Sequence, residues 1–152
     1  MTIIVASRTH RQMAADTLIV GPSYDVTGHA VKIVRGIDGS IGGAAGESEA
    51  CCEFLSWVEK GRKGKLKRRV FKDCFGLVLT ADNELLNYEG PYPDRLLDDS
   101  HAIGSGAPFA KAALGLGQSP EQAVKVAIKH STACAGDVTV LNLQPKSKRI
   151  RK

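Results

Sequence analysis

Thr2, Asp16 and Lys32 fall within the first 32 of 152 residues, each placed where a polar side chain can do chemistry. Asp16 closes the apolar run MAAD, and Lys32 lies inside AVKIV, a stretch otherwise suited to burial. A lysine on a buried strand is costly unless an anion is paired with it, and Asp16 is a candidate partner. Alone, the two read as a structural ion pair, or as a strand whose lysine faces water. Thr2 changes that balance. Once Met1 is removed, Thr2 carries a free α-amino group beside its own Oγ. Such a threonine is a nucleophile if three things surround it: a cation to stabilise the deprotonated Oγ, an acid to hold that cation, and backbone donors for the oxyanion. An α-amino group has an unperturbed pKa of about 7.7–8.0, close to working pH, so it can act as general base with modest help. Lys32 would be the cation and Asp16 its anchor. The segment GGAAGE (Gly42 to Glu47) would offer N–H donors at a helix start, although alone it is equally a tight turn or a phosphate cradle.

These residues need elements to hold them. TIIVASR, the polar turn THR and QMAADTLIV (12–20) predict a two-stranded hairpin. GPSYDVTGH (21–29) reads as a turn-rich loop, and AVKIVRG as a strand closed by the IDG turn. ESEACCEFLSWVEKG (47–61) predicts a helix: its apolar residues fall mostly on one face, acids lie in its first turn and glycine ends it. DCFGLVLTADNELLNYEG (73–90) predicts two strands around an Ala-Asp-Asn turn, and PYPDRLLDDS an irregular connection to HAIGSG. Pro108 suits the first turn of a helix over 109–117. Ser119, Pro120 and Gln122 form a capping-box pattern before AVKVAIKHST, and DVTVLNL (137–143) closes the chain as a strand. Strands and helices in separate runs imply antiparallel sheets with segregated helices, not a βαβ unit.

The composition is that of one soluble domain, with 43% hydrophobic and 24% charged residues. There is no apolar run of membrane-spanning length and no signal-peptide pattern, so a membrane partner is not expected. Four cysteines without CxxC spacing indicate neither a zinc site nor a disulfide framework, and point to a reducing, cytoplasmic setting. The net charge of +5 is uneven. KGRKGKLKRR (60–69) holds seven basic residues and KSKRIRK (146–152) five, leaving 9 basic against 16 acidic residues elsewhere. Two basic patches can be a nucleic-acid footprint, but a solvated hairpin and a frayed tail is the plainer reading. Only 5% of residues are aromatic, too few for a base-stacking surface, so nucleic acid is not the expected partner.

In order and spacing, TIIV, MAAD, HAVKIVR, GGAAGESEA, AIGSGAPFAKAA and CAGDVTV resemble the proteasome-type N-terminal threonine peptidases, nearest to bacterial HslV and its small proteasome-like bacterial relatives. The resemblance covers the first 60 or so residues and the last half of the chain, and it includes the sixteen-residue step from Asp16 to Lys32. It implies an α+β fold: a four-layer αββα sandwich of the N-terminal-nucleophile (Ntn) hydrolase, proteasome β-subunit-like type, spanning 1–145 as a single domain with a basic tail at 146–152. Carried over, the catalytic set is Thr2, Asp16, Lys32, Ser105 and Asp137, the last two fixing the amine. The oxyanion donor would be the N–H of Ala45 or Gly46, and Gly43 would floor a roomy substrate pocket. Backbone carbonyls of Gly136, Thr139 and Asn142 would hold a structural monovalent or divalent cation, the chemistry itself needing no cofactor. The family's second helix is not apparent where the basic 60–69 stretch begins, which implies a shortened outer helical layer.

The activity implied is hydrolysis of peptide bonds in unfolded polypeptides or peptides, inside a homo-oligomer of stacked hexameric or heptameric rings, with an ATPase unfoldase as a candidate partner. The rival readings are an inactive ring-forming scaffold, motivated by the missing helix, and a nucleic-acid-binding module built on the basic patches.

Overall fold

In the computed structural model, residues 1–145 are described, and the basic tail 146–152 lies outside the described residues. Eleven strands and four helices follow in order among the described residues: β1 (Ile4–Ser7), β2 (Gln12–Asp16), β3 (Leu18–Val20), β4 (Val26–His29), β5 (Ile33–Arg35), β6 (Ile41–Gly46), α1 (Ser48–Glu59), α2 (Val70–Asp73), β7 (Cys74–Leu79), β8 (Leu85–Tyr88), β9 (Asp94–Leu96), β10 (Ser100–Ile103), α3 (Ala107–Gly115), α4 (Pro120–His130) and β11 (Val138–Asn142). They form two antiparallel sheets, β10-β1-β2-β11 and β5-β6-β7-β8-β9, with β3 and β4 as a separate hairpin.

Alternation along β1 makes the layers. Ile4 and Ala6 face Ile33, Ile41, Leu77 and Leu79 of the other sheet, forming the core between sheets. Ile3 and Val5 point the other way, against Ala110, Ala123, Val124 and Ala127 of α3 and α4. On the far side, Phe54 and Val58 of α1 pack against Ala44 and Val78. The result is the expected order of helices, sheet, sheet, helices. The outer layer over the second sheet is short, as expected: α2 is a single turn of four residues. Around Phe54, the rings of Trp57, Phe71 and Tyr88 occupy that layer, with centroids 5.5–6.3 Å from the Phe54 ring.

Several local expectations need correction. GGAAG is not a loop before the helix but most of β6, fully paired to β7. Its small residues are required by neighbours. A Cβ on Gly42 would meet Val58 at 2.8 Å, and one on Gly43 would meet Ile4 at 2.7 Å. QMAADTLIV breaks at Thr17 into β2 and β3, and the predicted loop 21–29 supplies β4, the partner of β3. The connection PYPDRLLDDS contains β9, an edge strand. The basic stretch 60–69 lies on the surface, tied by Arg62 to Asp38 and by Arg69 to Glu53. Among the described residues, no helix is long and apolar enough to cross a membrane.

Candidate active site

Thr2 lies at the open end of β1, where both sheets and the Gly104–Ser105–Gly106 turn meet. That turn explains its glycines. Gly104 has φ +99, and a Cβ there would run into the Thr2 carbonyl. Gly106 N–H donates to that carbonyl at 3.2 Å, and a Cβ on Gly106 would meet Cys134 Sγ at 2.6 Å. Between them, Ser105 Oγ accepts the Thr2 N–H at 3.1 Å.

Asp16, at the end of β2, has no exposure and its carboxylate is fully engaged. Oδ1 accepts the Ile3 N–H at 3.0 Å and the Lys32 ammonium at 2.9 Å, while Oδ2 accepts Ala135 N–H at 3.3 Å. One carboxylate thus joins the nucleophile's strand, the lysine and the loop before β11. Lys32 is 8% exposed, and its Nζ also donates to the Met1 carbonyl at 3.2 Å. Thr2 Oγ1 donates to that same carbonyl at 2.6 Å. Thr2, Lys32, Asp16 and Ser105 are therefore brought together.

The register of β6 distinguishes the two oxyanion candidates. Ala44 N–H donates to Lys32 O at 3.3 Å and Glu47 N–H to Asp73 O at 2.8 Å, so even-numbered amides turn toward β5 and odd ones toward β7. Ala45 N–H is directed into the β6–β7 ladder, and its methyl group lies in the core between sheets. Gly46 N–H points to the other side, past the start of β5 and beside Lys32, and Gly46 lines the cleft there. Gly46 has φ +137, and a Cβ there would strike the Asp73 carbonyl. The chain then enters α1, capped by the Glu47 carboxylate. The N–H groups of Glu49 and Ala50 bond that carboxylate and hold its pKa below the ordinary value.

Five expected residues fall elsewhere. Gly43 does not floor the pocket: it faces the core between sheets, under Ile4 and Ile33, and Ala44 faces the cleft instead. The cleft holds about 200 Å³ with Met1 among the residues that line it. Asp137 is exposed just before β11; its N–H donates to Thr17 Oγ1 at 3.1 Å, and its carboxylate makes no hydrogen bond to Thr2. The carbonyls of Gly136, Thr139 and Asn142 cannot share an ion. Thr139 and Asn142 stand on one strand, roughly 10 Å apart at about 3.3 Å per residue, and ligand oxygens lie about 2.3–2.6 Å from such a cation. The Asn142 carbonyl instead accepts the Arg35 guanidinium at 2.6 Å.

The cleft wall was not visible in the sequence. Leu18, Ile19 and Val20 of β3, with Ala30 and Val31, form one side, and Cys51, Cys52 and Leu55 of α1 the other. The only signal was the apolar LIV run interrupted at Thr17, since Val31 is an exposed neighbour of the buried lysine.

No protein-family model and no curated protein matches the chain. Solved structures do. Eukaryotic HslV from Trypanosoma brucei is 22% identical, with a TM-score of 0.68 over 93% of this chain and 99% of that one. Thiobacillus denitrificans BPH, solved in complex with epoxomicin, is 16% identical, with a TM-score of 0.66 over 95% of this chain and 100% of that one. BPH solved on its own gives a TM-score of 0.64 over 95% and 98%. At these identities the likeness is one of fold: the chain has the HslV and proteasome-type architecture over nearly its whole length.

Proposed function

We propose that the protein is a threonine-type endopeptidase in which Thr2, freed of Met1, attacks peptide carbonyls. The observation that carries this reading is the convergence of Thr2 Oγ1 and Lys32 Nζ on one carbonyl oxygen, with Asp16 buried behind the lysine. A buried ion pair beside an open cleft is poorly explained by stability, because an apolar replacement serves that purpose as well.

Removal of Met1 converts the Thr2 amide nitrogen into a basic amine, still within reach of Ser105 Oγ. The amine takes the Oγ proton through a water, and Oγ attacks the substrate carbonyl. Lys32 stabilises the oxygen as it loses its proton, and Asp16 fixes Lys32. Gly46 N–H meets the developing oxyanion. An ester on Thr2 forms and water releases it. Apart from water, the groups in this scheme come from the chain itself. Asp137 enters only as a residue of the loop that bonds Asp16, two positions beyond Ala135. Substrates are unfolded polypeptides or peptides held extended along the cleft. The proposed assembly is the stacked double ring of six or seven subunits per ring that the family resemblance implies, with an ATPase unfoldase as candidate partner. A cytoplasmic location is in keeping with four free cysteines.

The test is labelling by epoxomicin, the ligand of the structurally similar BPH complex. Mass spectrometry of the treated protein should find Met1 absent and one adduct on Thr2. Fully assembled, Met1-free protein that stays unlabelled would support the inactive scaffold instead.

A further inference from the structure

Cys51 of α1 and Cys74 of β7 meet behind the cleft. Phe54 lies over Gly76, and Val58 over Gly42, so α1 runs alongside β7 in the same direction. One turn back from Phe54 is Cys51, and two residues back from Gly76, on the same face of β7, is Cys74. Both side chains belong to the packing around Phe54, Cys74 inside that cluster and Cys51 against it. Cys51 lines the cleft, whereas Cys74 lies beneath it with 1% exposure. Both are tied to the turn that carries the oxyanion candidate. Cys74 is the register partner of Gly46, and Cys51 N–H donates to Glu47 O at 2.9 Å.

We propose that Cys51 and Cys74 form a site of reversible two-electron oxidation, at which hydrogen peroxide entering the cleft converts the thiol pair to a disulfide. Cys51 is the attacking sulfur. The neighbouring Cys74 thiol draws its pKa below the ordinary thiol value, helped by Lys32 and the N-terminal amine and opposed by burial and Glu47. The neighbouring Cys51, together with burial, pushes the Cys74 thiol up, and its S–H donates to the Phe75 carbonyl at 3.6 Å, so Cys74 keeps its proton.

The Cys51 thiolate attacks one peroxide oxygen, forming S–O and breaking O–O, and the departing hydroxide leaves as water with the proton Cys51 gave up. The Cys74 sulfur then attacks the Cys51 sulfenic acid. An S–S bond forms, S–O breaks, and the Cys74 proton departs with the hydroxyl as a second water. Two thiols lose two electrons and the peroxide gains them. Closing the sulfurs to about 2.0 Å draws the first turn of α1 toward β7, with Gly46 on the segment between. This consequence rests on the peptidase reading of the cleft. Turnover falls about tenfold or more in the disulfide form and returns with dithiothreitol.

The test is hydrogen peroxide treatment of the full chain, blocking of remaining thiols and non-reduced peptide mapping, with fragmentation separating Cys51 from Cys52. The expected product is a crosslink between Cys51 and Cys74. Recovery of both as blocked thiols or as separate higher oxides overturns the proposal, as does a crosslink through Cys52 instead. In Cys51→Ser, Cys74 should be recovered as a blocked thiol after the same exposure; its oxidation there would overturn Cys51 as the entry point. The map does not depend on catalysis. A Cys51–Cys74 crosslink in protein without any peptidase activity would leave the oxidation site standing and count against the peptidase reading.

Discussion

Lys32 and Arg69 are both cations paired with a carboxylate, and they sit in opposite surroundings. Lys32 is bound to Asp16 at 2.9 Å with side chains 9% and 0% exposed, while Arg69 meets Glu53 at 2.5 Å with side chains 54% and 29% exposed. The second pair belongs to the basic stretch 60–69, where water and salt screen the charges and little energy depends on the contact. The first pair is shielded on all sides except the one facing Thr2, so its field is spent on the few atoms at the cleft. The difference teaches that charge density along a sequence is a poor guide to charged function. Seven cations in ten residues lie on a solvated surface, whereas one lysine in an apolar run reaches the same carbonyl as the Thr2 hydroxyl.

Breaking the buried pair should give the largest effects. Lys32→Met keeps the length of the side chain but removes the cation, and peptide turnover should fall by about 10²–10⁴-fold. Asp16→Ala leaves the Lys32 ammonium buried without its anion and frees the Ile3 and Ala135 amides, which should cost about 3–5 kcal/mol in urea unfolding. A pair that proved neutral in both assays would place Lys32 with the surface cations. Arg69→Ala should change stability by less than about 1 kcal/mol, with the difference shrinking as salt is added.

A second contrast separates the helical layers. Over the first sheet, α3 and α4 approach through alanines, Ala110, Ala113, Ala123 and Ala127. Over the second sheet, α1 has only the single turn of α2 beside it, and the ring of Phe54 reaches Gly76 directly. Phe54 is therefore the side chain on which that layer most depends. Phe54→Ala should cost about 3–5 kcal/mol, measured by denaturant midpoint.

Much of this was legible beforehand, for physical reasons that differ by region. Helices α1, α3 and α4 were legible through capping and periodicity, and Ser119 caps α4 with its Oγ accepting the Gln122 N–H. Glu47, read as a first-turn acid, is the cap of α1, and the single turn α2 has no side-chain cap to mark it. The Asp16–Lys32 pairing could be anticipated because a buried lysine demands an anion. The strand β6 could not, since IGGAAG has low strand propensity, and its glycines are there to admit Val58 and Ile4 from either face. Strands β4 and β9 lack the apolar alternation that would mark them, because they are short and mostly exposed, with only Leu96 of β9 packed against the core. The same limit explains the Gly43 assignment. A one-residue change of register along a strand turns a pocket floor into core, and only the pairing of β6 with β5 and β7 distinguishes the two. The carbonyl set 136, 139 and 142 was likewise plausible as a loop and impossible as a strand.

The central claim is that Thr2 is the nucleophile, and Thr2→Ala tests it most directly. Native mass spectrometry should show the variant assembled like the wild type, while cleavage of fluorogenic peptides disappears. Peptide cleavage persisting in the assembled variant at the wild-type rate would contradict the account.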